Sequence, residues 1–191
     1  MTAGYGYSYY ERTQVWQSNL SFWQDAERNP KMAYNRMFLN NIAEAYLTDG
    51  QRIKALNYYE RIFAPQVKKT PFENEMVKYS IGIVHVEIAE ESYIERKYAE
   101  ASAHLKKALP LLEGAAERLP ATPIVHKGLA LGLLLQGKVS LSITRRFDAN
   151  VFYRARKHCL MALSLDKGSQ LARETMAEID ALLARYGASA R

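Results

Sequence analysis

Residues 42–62 read IAEAYLTDGQRIKALNYYERI. Met32, Leu39, Ile42, Ala43 and Tyr46 recur at three- and four-residue steps and so share one face of a helix through residues 31–50. Asp49-Gly50 supplies its stop, because glycine takes the left-handed conformation that closes helices without a steric penalty. A second amphipathic helix follows, with Ile53, Leu56, Tyr59 and Ile62 or Phe63 expected inward and Pro65 closing it. Two helices joined by so short a turn form an antiparallel hairpin.

Working outward, the same layout recurs. VKYSIGIVHVEIAEESY and ERKYAEASAHLKKAL form a second pair, with Pro110 expected to end or kink the partner helix. Pro120 and Pro123 bracket a linker, and PIVHKGLALGLLLQG with NVFYRARKHCLMALSLD forms a third pair. SQLARETMAEIDALLARYG follows, and its Leu171, Met176, Ile179 and Leu182 or Leu183 suit a helix that caps the end of a stack. Upstream, a helix is expected from Glu11, with Val15, Leu20, Phe22, Trp23 and Ala26 on its apolar face and Asn29-Pro30 ending it. Residues 1–10 form a flexible, tyrosine-rich start, and 187–191 a loose tail.

The composition fits this reading. Hydrophobic residues make up 48% and charged residues 24% of the 191-residue chain, which argues against disorder. Ten glycines and six prolines leave room for long helices. The formal charge of +6 favours anionic neighbours mildly, or describes a solvated helical surface. A single cysteine, Cys159, rules out an internal disulfide. The longest apolar run, Gly128 to Leu135, falls far short of the roughly 18 residues that suggest a membrane span. The N-terminus lacks the layout of a signal peptide, so the chain as given is expected to be soluble.

Three stretches line up. Leu39, Ile42-Ala43, Tyr46, Gly50, Ala55, Tyr59 and Ile62 match Ile81-Gly82, His85, Ala101, Leu105 and Ala108. Leu129-Ala130, Leu133, Gly137, Ala155, Cys159 and Ala162 make the third set. Each places a large-then-small pair on the first helix and small residues twice on the second, where helices must approach closely. This resembles the tetratricopeptide (TPR) repeat, a helix-turn-helix unit of about 34 residues. The second stretch carries an insertion of about two helical turns, compatible with one extra turn in each helix. The third carries KVSLSITRRFDAN after Gly137, which lengthens both helices or forms a loop.

The resemblance implies an all-α fold of antiparallel helix pairs, stacked as a short TPR-like solenoid with N-terminal and C-terminal capping helices. The expected domain is 11–186, with repeats at about 36–69, 71–119 and 123–168 and a capping helix at 169–186.

A second resemblance lies at the start. Arg12, Trp16, Trp23, Asp25 and Pro30 are similar to the junction where bacterial multi-pass membrane glycosyltransferase-like proteins pass from their last membrane helix into TPR repeats. Tyrosine and tryptophan crowding also suits a membrane–water interface. This resemblance implies a soluble module on the extracytoplasmic face, near a membrane through its N-terminus. The alternatives are a free-standing cytoplasmic adaptor and the TPR part of an O-linked N-acetylglucosamine transferase-like enzyme.

Signals for chemistry are weak. No two of His85, His104, His126 and His158 have the His-x-x-x-His spacing of a metal helix. His85 is expected to be packed and hydrogen-bonded, and Cys159 to be a small core residue. Glu87, Glu90, Glu91 and Glu95, near Arg96 and Lys97, read as a solvated ion-pair network. Neither nucleotide-binding fingerprint occurs. No catalytic residue, cofactor or metal is therefore assigned, and the chain alone is expected to be inactive.

Arg145, Arg146, Arg154, Arg156 and Lys157 form the densest basic patch. No recognition-helix or zinc-finger signature accompanies it, so nucleic acid is disfavoured as a partner. The expected partner is a protein or peptide, held on the side lined by the first helix of each pair. Candidate groove positions are Asn40, Asn41, Glu44 and Thr48, then Met76, Tyr79, Ser80 and Ile83, then Lys127. Leu131 and Leu134 either join them or lie under the capping helix. The aromatic start also offers a route to homo-oligomers.

Overall fold

The computed structural model describes residues 18–187. Glu11, Arg12, Val15, Trp16, the tyrosine-rich start and residues 188–191 lie outside the described residues. Among those described, every regular element is a helix. The chain divides into two compact units, Met1–Thr70 and Pro71–Arg191.

In the first unit, α1 spans Asn19–Glu27, α2 Arg36–Thr48 and α3 Arg52–Arg61. Ser18 and Ser21 cap α1 reciprocally. The helix expected over 31–50 is split. Asn29 caps a short 3-10 turn at Pro30–Met32, and Asn35 caps α2 by accepting from the Phe38 N–H at 3.0 Å. Asparagine side chains compete for backbone donors, and two of them close together divide the pattern. Met32 thus lies outside α2.

Gly50 ends α2 at φ 74°. The Gly50 N–H donates to Leu47 and the Gln51 N–H to Tyr46, the paired bonds of a Schellman stop. Phe38, Leu39, Ile42, Ala43 and Tyr46 meet Ala55, Leu56, Tyr59 and Ile62 in the core. Ile53, expected inward, is 61% exposed. Ala55, Tyr59 and Ile62 fix the buried face, and two residues before Ala55 is about 200° around the helix.

In the second unit, α4 spans Pro71–Ile94, α5 Tyr98–Arg118, α6 Pro123–Thr144, α7 Ala149–Leu165 and α8 Gln170–Gly187. Adjacent helices pack as pairs, α4 on α5 and α6 on α7, with α5 also on α6, α6 on α4 and α8 on both α6 and α7. Helix α5 does not end at Pro110 but continues to Arg118. Pro110 is exposed, so water can satisfy the carbonyl its missing N–H leaves free. The insertion after Gly137 extends α6 to Thr144 and leaves only residues 145–148 as a corner.

Small residues set the close approaches. A Cβ on Gly137 would lie 2.5 Å from Phe152 Cζ, and one on Gly82 2.8 Å from Leu112 Cδ2. Leu105, Leu112, Leu129, Leu133, Phe152, Cys159 and Ile179 fill the core around them. In α8, Ala172, Thr175 and Ile179 are buried, with Met176, Leu182 and Leu183 packed alongside. Leu171, expected inward, is 46% exposed, because the buried stripe runs through Ala172 instead. No helix among the described residues is long and apolar enough to cross a membrane.

Candidate functional site

The first helices of the two pairs in the second unit, α4 and α6, line a cavity of about 250 Å3 together with α8. Ile83 and Val86 from α4 and Leu131, Leu134 and Leu135 from α6 make its apolar floor. Glu87 and Glu90 of α4, Lys138 of α6 and Glu178 of α8 make its polar rim. Helical spacing produces this stripe: Ile83, Glu87 and Glu90 step by four and three, as do Leu131, Leu135 and Lys138. Lys138 donates to Glu178 at 2.9 Å and lies 5.5 Å from the centre of the Tyr93 ring.

Of the candidates named from sequence, Ile83 lines this cavity, with Leu131 and Leu134 beside it. Leu134 is buried and Leu131 half-buried. Tyr79 is turned into the core, where its ring sits against the backbone of Gly128; it offers no groove face. Met76 packs on the same core, and Ser80 is half-buried. Lys127 reaches Asp166 at 3.8 Å.

In the first unit, Glu44 accepts from the Tyr59 hydroxyl, and the Thr48 hydroxyl donates to the Glu44 carbonyl at 3.0 Å. Asn40 and Asn41 are half-buried. The sequence reading missed Val86, Glu87, Glu90, Leu135, Lys138 and Glu178. The first three continue the Met76–Ser80–Ile83 stripe by two turns, so its spacing was available as a signal.

Two members of the basic patch are paired. Arg154 bonds to Glu113, and Arg156 to Asp180 at 2.7 Å. Arg145 and Arg146 sit at the α6–α7 corner, where Arg145 adopts a left-handed conformation at φ 58°. Arg156 and Lys157 line a shallow depression with Tyr153 and Leu160.

The histidines pair across helices. His85 of α4 meets His104 of α5 with Nδ1 atoms 3.0 Å apart, and His126 of α6 meets His158 of α7 at 3.1 Å. His126 Nε2 lies 2.8 Å from the Pro120 carbonyl. A carbonyl only accepts, so the His126 Nε2–H donates to it; in that tautomer Nδ1 is the acceptor and the His158 Nδ1–H the donor. Burial first, then the His126 neighbour and the cations Lys157 and Arg154, push His158 down to about 4. Burial, His104 and Lys107 push His85 down to about 4 as well. Burial and Lys107 also lower His104.

His85 is thus packed and hydrogen-bonded, as expected. Cys159 is buried, and burial followed by Asp180 raises its thiol to about 11, keeping it protonated. Neighbouring His158 turns toward His126 instead. No group of three or more His, Cys, Asp or Glu placed to hold a metal ion occurs among the described residues.

The ring contacts have a register. Tyr58, His104 and His158 each follow the first buried small residue of their helix, Ala55, Ala101 or Ala155, by about one turn. Tyr58 stacks on Tyr46 at 5.3 Å between centroids, and the two histidines pair with His85 and His126. In comparisons with known proteins, no family model and no curated protein matches the chain.

Proposed function

We propose that this chain is a non-catalytic protein-interaction scaffold of TPR-like helix pairs, with its binding face on α4, α6 and α8. The apolar cavity on the first-helix side carries this reading, since five aliphatic side chains there border an opening rather than one another alone. The recurring small residues and the ring contact in constant register support a repeated hairpin unit. The Trp23, Asp25 and Pro30 positions, with Arg12 and Trp16, support placing the module beside a membrane-anchored glycosyltransferase-like part. The reading frame upstream of Met1 tests that placement: membrane spans there support it, and their absence leaves a free-standing adaptor.

Selection from a displayed random peptide library tests the binding role. Enriched peptides whose affinity for the full chain drops at least about tenfold in Leu131→Lys, which puts a charge on the apolar floor, are the expected result. Enrichment of none, or of peptides indifferent to that change, contradicts it. Turnover of a sugar nucleotide by the chain alone contradicts the non-catalytic reading.

A further inference from the structure

We infer that a groove between α5 and α6 binds a small aliphatic carboxylate that carries a hydroxyl or N–H donor on its chain. This groove shares no lining residue with the α4–α6–α8 cavity, and the inference does not rest on the scaffold reading. Its volume is about 320 Å3. At roughly 30 Å3 per water-sized group it holds about ten non-hydrogen atoms, at the low end of small-molecule sites.

Two helical stripes build the groove. On α5, Ser102 and Lys106 are one turn apart, as are Leu105 and Leu109. On α6, Gln136, Val139 and Ile143 step by three and four, and Ser140 follows Gln136 by one turn. Leu105, Leu109 and Val139 are buried and close the floor, while Ile143 stands 52% exposed beside them. An aliphatic chain laid along this floor takes Ile143 out of water.

The polar groups determine the rest of the ligand. The side chains of Ser102, Lys106 and Ser140 form no hydrogen bond or ion pair among the described residues. Lys138 and Arg154 differ, since carboxylates of neighbouring helices hold them. No acidic side chain among the described residues lines the groove, so the Lys106 ammonium is the charge a ligand meets there. One ammonium and two hydroxyls are donors to a carboxylate, which only accepts. The Gln136 side-chain oxygen has no donor of its own among the described residues. Buried acceptors are nearly always paired, so a hydroxyl or N–H on the ligand supplies what the chain does not.

The test titrates the full chain with 3-hydroxyoctanoate, with octanoate, which lacks the donor, and with octylammonium, which reverses the head charge, all by isothermal calorimetry. 3-Hydroxyoctanoate should bind one site with a Kd at or below about 1 mM. Octanoate should bind about threefold more weakly, and octylammonium at least about tenfold more weakly. Lys106 is exposed, so Lys106→Glu should fold like the parent, and it should reverse the preference between octanoate and octylammonium. Gln136→Leu should bring the two acids to equal affinity. Both acids should shift the methyl resonances of Leu105, Leu109, Val139 and Ile143.

No saturable binding of either acid, equal binding of octylammonium, or binding indifferent to Lys106→Glu overturns the inference. So does equal affinity of the two acids for the unaltered chain. If a peptide from the displayed library moves those methyls and neither acid does, the groove takes a protein segment and the inference falls.

Discussion

The α2–α3 hairpin and the α4–α5 hairpin use one plan with different chemistry. Each ends its first helix with a Schellman stop, but the left-handed position is Gly50 in one and Arg96 in the other, at φ 74° and 62°. Each sets a small residue after a large one, Ala43 after Ile42 and Gly82 after Ile81. Each joins its helices through rings, Tyr46 with Tyr58 against His85 with His104. The two hairpins therefore share geometry, which packing enforces, and differ in the polar group at each point. Acid response, turn strain and helix spacing should then differ between hairpins of the same shape.

The largest difference should appear on acidification. His85 falls from an ordinary value of 6.5 to about 4 in the folded chain, and so does His158. The unfolded chain binds more protons between those values. Stability is therefore complete above about pH 6.5 and is lost as pH falls toward 4. Protonation also puts a second N–H between two facing Nδ1 atoms. Lys107 and Glu100 beside the first pair, and Lys157 and Arg154 beside the second, are the charged neighbours that tune this window. Hydrogen exchange from pH 7 down to pH 4.5, corrected for intrinsic rates, should show α4–α7 losing protection before α2–α3. Uniform loss would break the comparison.

Next is helix spacing. Gly82→Ala gives the second hairpin the residue of the first, Ala43, but drives a Cβ to 2.8 Å from Leu112 Cδ2. Leu112 is fully buried, so overpacking should exceed the gain in helix propensity and cost about 1–2 kcal/mol in urea unfolding. An unchanged midpoint would mean that Leu112 has room to move.

Turn strain is smaller. Arg96→Gly should stabilise by about 1 kcal/mol, since an L side chain is disfavoured at that φ. Gly50→Ala should destabilise by about the same amount. The smallest effect should be Tyr59→Phe, which removes the hydroxyl bonded to Glu44 and should cost about 0.5–1 kcal/mol. Thermal melts of the three variants rank these effects.

Much of this was legible in the chain. The hairpin over 36–61, the inward Ala55, Tyr59 and Ile62, and the buried Cys159 all follow from spacing, because burial repeats with the helix. Ile53 and Leu171 misled because an apolar residue need not be buried, and Met32 because a cap overrides a periodic pattern. The histidine pairs escaped a search along single helices, since each pair draws one ring from each of two helices. Half the cavity escaped for a related reason: the stripe through Ile83 continues to Glu87 and Glu90, which read as a solvated charge run until α8 brings Glu178 beside them.

Methyl-selective nuclear magnetic resonance of the full chain, titrated with a peptide enriched from the displayed library, tests most directly whether α4, α6 and α8 bind a partner. Saturating shifts at the methyls of Ile83, Val86, Leu131, Leu134 and Leu135, with Leu160 on α7 unmoved, are the result this account predicts. Shifts confined to Leu160 and its neighbours, or no shifts at all, would contradict it.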